Sequence, residues 1–211
     1  MTVCAATNNP GKLKELRRIL EKAGHAVKSL RELGITLDPE ETGATFAENA
    51  RIKAAAFCAA SGLPTVADDS GLCVDALGGA PGVFSARYAG VHGVDEANNR
   101  KLLAEMQAVP AGQRAARFVS AVCFMLPDGR ALTVEGVCPG SVAFAPAGEN
   151  GFGYDPLFIP DRVGLPDGTT VENTARRSYA ELADGEKDAI SHRGRAMEKL
   201  DARLPAFLGQ A

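Results

Sequence analysis

Apolar positions along the chain alternate between two spacings. TVCAA (2–6) is a short uncharged run of the kind that forms a buried strand. TNNPGKLKELRRILEKAG (7–24) then places Leu13, Leu16 and Leu20 on one helical stripe, with Asn9 as the cap, Pro10 in the first turn and Gly24 at the end. HAVKSL (25–30) returns to a strand pattern. TFAENARIKAAAFCAASG (45–62) predicts a second helix, with Thr45 and Glu48 in capping-box spacing and Phe46, Ala50, Lys53 and Phe57 on or near one face. A strand over Pro64–Asp68 comes next, and DEANNRKLLAEMQAV (95–109) reads as a third helix capped by Asp95.

The middle of the chain is β-rich. ARFVSAVCFML (116–126) and RALTVEGVC (130–138), joined by Pro-Asp-Gly, predict a hairpin, and GSVAFAP (140–146) a further strand. Ser191 is placed to cap a closing helix, HRGRAMEKLDARLPAFL (192–208). The order β-α-β-α-β, then β-rich, then α predicts an α/β fold with a mixed sheet flanked by helices. Residues 1–211 are expected to form a single domain of two lobes, with the active site in the cleft between them.

Composition narrows the function classes. The chain has 211 residues, 45% hydrophobic and 23% charged, with a formal net charge of -3. That mild acidity lacks the basic face of a general nucleic-acid binder, so nucleic acid is not an expected partner. No apolar run approaches the ~20 residues of a membrane span, and the N-terminus lacks a signal-peptide layout. Five scattered cysteines without a C-x-x-C pair read as reduced core residues of a cytoplasmic protein. Three histidines far apart do not suggest a histidine metal cage.

Several short stretches carry chemistry. Thr7–Lys12 leaves a strand and enters a helix, where N–H groups and a lysine make a phosphate site; a plain strand–helix turn would read the same way. Asp68 and Asp69 are adjacent on a strand, so their side chains point to opposite faces and do different jobs. With Glu40 or Glu41 from the preceding loop, Asp69 offers the hard oxygens that Mg²⁺ takes. The glycines of GGAPGVFSARYAG (78–90) permit turns, with Ser85 and Arg87 as candidate polar contacts. In NGFGYDP (150–156), Gly151 and Gly153 flank Phe152 and leave its ring face open for stacking on a base, with Asp155 as an acceptor nearby. Lys187, His192 and Arg193 cluster around a helix start, where the dipole disfavours cations, which points to ligand binding.

Six segments in order, ATNNPGK, EETGATFAENARIKA, ADDSGLCVDALGGAPGVFSARYAG, GFGYDP, AEL and ISHRG, resemble the inosine triphosphate pyrophosphatase family over nearly the whole chain. The connection over 160–182 looks longer than the family's, and Asn8 and Pro10 stand where other residues are common. The resemblance implies Mg²⁺-dependent hydrolysis of ITP, dITP or XTP to the monophosphate and pyrophosphate, an elongated sheet, and a homodimer. Carried onto this chain, Thr7, Asn8, Asn9, Pro10, Gly11 and Lys12 hold the triphosphate, and Asp69 is the general base and metal residue. Glu40 is the preferred second metal residue, with Glu41 the alternative. Ser70, Phe152, Gly153, Tyr154, Asp155, Lys187, His192 and Arg193 contact substrate. His192 and Arg193 would donate to the base carbonyl and Asp155 accept from N1–H. A pyrimidine triphosphate pyrophosphatase and a nucleotide sensor without turnover are the competing readings.

Overall fold

The computed structural model describes residues 1–209. Its elements begin with β1 (Thr2–Ala5), α1 (Pro10–Lys22), β2 (Ala26–Ser29), α2 (Phe46–Ser61) and β3 (Thr65–Val74). They continue with α3 (Asp95–Glu105), β4 (Ala115–Met125), β5 (Ala131–Val142), β6 (Phe158–Pro160), β7 (Arg162–Gly164), β8 (Thr170–Glu172), α4 (Asp184–Asp188) and α5 (His192–Phe207). Six strands form a mixed sheet in the order β2-β1-β3-β4-β5-β6, with β1 parallel to both β2 and β3 and β5 antiparallel to β6. β7 and β8 pair as a separate antiparallel hairpin.

The helix starts follow their capping chemistry. The Asn9 side chain accepts from the Lys12 N–H at 3.0 Å. Thr45 and Glu48 form the reciprocal capping box, and Gly62 closes α2 in a left-handed conformation at φ 65°. Three expectations are corrected. β3 does not stop at Asp68 but runs to Val74, so Asp69, Ser70 and Gly71 are strand residues. Ser141 and Val142 of GSVAFAP belong to the end of β5 rather than to a strand of their own. Val94, not Asp95, is the N-cap of α3, and no side chain bonds that helix start. The connection over 160–182 is ordered by the β7–β8 hairpin. Gly164 lies where a Cβ would meet the Glu186 carbonyl oxygen at 2.5 Å, so β7 packs directly on α4.

The chain divides into two compact units. The first comprises Met1–Asp69, Ser120–Gly136 and Arg193–Ala211. Val3–Ala5 of β1, Thr65–Asp69 of β3 and Ser120–Met125 of β4 are buried on both faces, and the pleat sorts their residues into two cores. Val3, Ala5, Val66, Val122 and Phe124 pack with Leu16 and Leu20 of α1 and with Met197 and Leu200 of α5. Cys4, Ala67, Ala121 and Cys123 point the other way, onto Ala50, Ala54, Phe57 and Cys58 of α2. The second unit comprises Ser70–Val119 and Val137–His192. One core fills it, in which Leu72, Leu102, Phe118, Tyr154, Leu157, Phe158 and Tyr179 meet.

Candidate active site

The two cores of the first unit decide what the paired aspartates do. Residues two apart on a strand share a face, so Asp68 follows Val66 towards α1 and α5, and Asp69 follows Ala67 towards α2. The contacts bear this out. Asp68 accepts from Arg193 Nη2 at 3.0 Å and from the Ser120 hydroxyl, and the Lys12 ammonium lies 2.9 Å away. Glu15 of α1 takes the other end of the Arg193 guanidinium. The side chains of Asp68 and Arg193 are 0% and 1% exposed. Burial alone would raise the Asp68 pKa, but Arg193 and Lys12 outweigh it and hold the carboxyl well below its usual range. Burial depresses the Lys12 ammonium in spite of Asp68, and Lys53 and Arg193 depress it further.

Asp69 opens a different set of contacts. Lys53 Nζ of α2 donates to Asp69 Oδ1 at 2.8 Å and lies 3.1 Å from Glu41 Oε1. Asn49 Nδ2 lies 3.3 Å from Asp69 Oδ2. The loop bearing Glu41 is tied to the same helix turn, because Gly43 N–H donates to Asn49 Oδ1 at 2.8 Å. A side chain at Gly43 would collide there, its Cβ lying 2.6 Å from that oxygen. Two carboxylates and a lysine between them therefore sit on one face of β3. Burial pushes Asp69 up, with Glu41 adding to it, while Lys53 and Lys12 pull Glu41 down against its own burial.

The order β2-β1-β3 makes the C-terminal end of β1 a topological switch point, since α1 lies on one face of the strands and α2 on the other. Open α/β sheets bind ligands at such points. Thr7–Lys12 starts there, and Thr7 Oγ1 accepts from Asn9 N–H at 3.1 Å, shaping the turn into α1.

The second unit gathers the other candidates. Lys187 Nζ of α4 donates to Asp155 Oδ2 at 2.7 Å and stands 5.2 Å from the centroids of both the Phe152 and Tyr179 rings. Asp155 Oδ2 also accepts from Phe152 N–H at 3.0 Å, so one carboxylate positions the lysine and the aromatic loop together. His192 stacks on Phe118, with ring centroids 4.7 Å apart, inside a cluster that includes Phe158 and Tyr179. Tyr154 is buried and donates its hydroxyl to the Ser85 carbonyl at 2.9 Å, while Ser85 Oγ accepts from Leu72 N–H at 3.0 Å. Arg177 grips Glu186 with both terminal nitrogens, at 2.9 and 3.2 Å, which ties the segment after β8 to the helix carrying Lys187.

Gly151 is the tightest point of this loop. It adopts φ +79°, and a Cβ there would lie 2.0 Å from Asp155 Oδ2. Gly151→Ala is expected to cost about 1–3 kcal/mol of stability, seen as a lowered denaturation midpoint. An unchanged midpoint would mean that Asp155 is not fixed by this contact.

The structure thus departs from the sequence expectation in two places. Glu41, not Glu40, comes to Asp69; Glu40 is exposed. Arg193, expected at a base carbonyl, directs its guanidinium to Asp68 and Glu15. Lys53, Asn49, Glu15, Ser120 and Tyr179 were not singled out as functional. For Lys53 a signal existed, since it is a cation on a helix face otherwise filled by Phe46, Ala50 and Phe57.

The sequence and the fold both resemble those of known proteins. The Ham1 family model matches residues 3–203. A dITP/XTP pyrophosphatase of Nocardia farcinica is 50% identical over 99% of this chain and 96% of its own length. One from Corynebacterium glutamicum (strain R) is 49% identical over 97% of both. Among solved structures, a nucleoside-triphosphatase / dITP/XTP pyrophosphatase from Mycobacterium abscessus is 47% identical with a TM-score of 0.70, covering 95% of this chain and 98% of that one. A HAM1 protein from Coxiella burnetii aligns at TM-score 0.79 and 39% identity, over 98% and 99% of the two chains.

Proposed function

The chain belongs to the Ham1 family, and we propose that it hydrolyses the non-standard purine nucleoside triphosphates ITP, dITP and XTP to the monophosphate and pyrophosphate, clearing them from the nucleotide pool. The observation that carries this reading is the division of labour between neighbours on β3: Asp68 secures Lys12, while Asp69 faces Lys53, Asn49 and Glu41.

In this reading the first-turn N–H groups of α1 and the Lys12 ammonium bind the triphosphate, Lys12 being held by Asp68, which Arg193 in turn secures. Lys53 and Asn49 fix the two oxygens of Asp69, which orients a water towards the α-phosphorus and takes its proton as the new O–P bond forms. The bond from that phosphorus to the bridging oxygen breaks, and pyrophosphate leaves. Mg²⁺ is the proposed cofactor, held by Asp69 and Glu41. Their hard oxygens suit it, two carboxylates being what it commonly takes beside phosphates and water. In support, Lys53 Nζ lies 2.8 and 3.1 Å from the two, a positive charge beside both carboxylates. Held by Asp69 and Glu41, the ion would supply charge relief for the departing pyrophosphate.

Recognition of the base falls to the second unit. Phe152 stacks on the purine, and Lys187, oriented by Asp155, donates to the 6-oxo group. An ammonium is donor-only. It fits the carbonyl of hypoxanthine or xanthine and opposes the amine of adenine, a polar mismatch that can reach discrimination on the order of 10⁴. A cytoplasmic homodimer belongs to the same reading; the five cysteines are buried and form no disulfide among the described residues, which fits a reducing compartment.

The test is pyrophosphate release from ITP, XTP, GTP, ATP, CTP and UTP with Mg²⁺ and with EDTA, light scattering of the same preparation reporting its mass. Fast release from ITP and XTP, abolished by EDTA, is the expected result. Binding of ITP without release would favour a sensor, and release from pyrimidine triphosphates alone would overturn the purine assignment.

A further inference from the structure

We propose that Asp95 and Asn99 are positioning residues for base recognition, forming a two-point clamp on the backbone of Gly153 that sets the Phe152 ring. The proposal rests on the reading of Phe152 as the residue that stacks on the purine. Gly153 N–H donates to Asp95 Oδ2 at 2.7 Å, and Asn99 Nδ2 donates to the Gly153 carbonyl at 2.9 Å. Both polar groups of one peptide residue are thus held by side chains four apart on α3, which lie on one face one turn from each other.

The need for such a clamp follows from the loop. Gly151 and Gly153 bracket Phe152 at φ +79° and +63°. Glycine visits many backbone states at similar energy, so the two together leave the intervening ring poorly oriented by the chain itself. Phe152 N–H is tied to Asp155 at 3.0 Å on one side of the ring. The clamp ties the other.

Two features set these residues apart from ordinary helix surface. An aspartate at a helix start ordinarily bonds first-turn N–H groups. Here α3 has no side-chain cap bond, and the Asp95 carboxylate reaches instead to a residue 58 positions away. Asn99 is a weak helix former inside the helix. Its Oδ1 is buried with no hydrogen-bond partner, a destabilising arrangement. Turning the amide over would bring that oxygen against the Gly153 carbonyl, so the bond to Gly153 sets its orientation.

The experiment measures ITP hydrolysis by Asp95→Ala, Asn99→Ala and Asp95→Asn, with inhibition by inorganic tripolyphosphate, which has phosphates and no base. Each alanine variant is expected to raise KM for ITP roughly three- to tenfold, the range of one or two lost hydrogen bonds, with kcat within about twofold. The tripolyphosphate inhibition constant should not move. Asp95→Asn, which keeps an acceptor oxygen, should recover most of the affinity. Glu96→Ala is the control: Glu96 lies in the same helix turn and pairs only loosely with Arg100, at 4.0 Å, so its KM should equal that of the wild type. Unchanged KM in both alanine variants would overturn the clamp, as would a tripolyphosphate constant that rises in step with KM. Wild-type protein that releases no pyrophosphate from ITP or XTP would overturn the functional reading and the clamp's role with it, a result visible before any variant is compared.

Discussion

Asp69→Asn is expected to lower kcat for ITP hydrolysis by about 10²–10⁴-fold while leaving KM within a few-fold of the wild type. The substitution keeps the shape of the side chain and one acceptor oxygen, and removes the capacity to take a proton. It should also leave the fold intact, which makes the result interpretable. Lys53 would still face Glu41 at 3.1 Å, so its ammonium keeps a carboxylate partner after Asp69 is neutralised. The Lys12, Asp68 and Arg193 group lies on the other face of β3 and is not touched. At saturating Mg²⁺, a denaturation midpoint near that of the wild type together with a collapsed kcat would place the loss in the chemistry. Turnover within about threefold of the wild type would remove Asp69 from the role of base.

The contrast between the neighbours was legible in part. Adjacency on a strand is enough to say that two side chains diverge, because the pleat has a period of two. It does not say where each goes. That depends on which helix covers which face, and here the alternation of Val66 with Ala67 and of Val3 with Cys4 carries the answer only once α1 and α2 are known to lie on opposite faces. The caps of α1 and α2 were readable because their partners are three residues away: Asn9 with Lys12, Thr45 with Glu48. Lys53 finds its partner 16 residues on, and Arg193 finds Glu15 178 residues back. No local pattern announces such pairs.

The misplaced elements share a cause. Ser70 and Gly71 favour a turn by local propensity, yet β3 continues through them; β1 pairs only with its first residues, Thr65 and Val66, and β4 is its other neighbour in the sheet. Asp95 suits a helix cap, and a tertiary partner, the Gly153 N–H, took its carboxylate. Glu40 and Glu41 could not be told apart, since a loop has no period from which to read direction. The Gly43–Asn49 bond settles which of them faces Asp69.

Asp68→Asn should have the larger effect on stability. The wild-type carboxylate has no exposed side-chain surface and is the shared partner of the buried Arg193 and of Lys12. Neutralising it takes the Asp68 charge away from Arg193, which keeps Glu15, and leaves Lys12 facing an amide. Removing one member of a buried ionic group typically costs about 3–5 kcal/mol, chiefly because the remaining charge is uncompensated. At the ~2–4 °C per kcal/mol of a domain of this size, the midpoint should fall by roughly 6–20 °C. The loss should also depend on pH in a definite sense. Asp68 is held well below its ordinary value of 3.8 in the folded chain, so its contribution is fully present above that value and is lost as pH falls through the depressed one. Denaturation in EDTA should therefore show a gap between wild type and variant that is constant from neutral pH to about pH 5 and narrows only under stronger acid. Glu15→Gln should reproduce part of the effect, because it too leaves Arg193 half-compensated. Equal midpoints for wild type and Asp68→Asn would mean that the Asp68–Arg193 pair does not contribute to holding α5 against the strand. The position of Lys12 would then need another explanation, since Asp68 is the carboxylate that stands 2.9 Å from its ammonium.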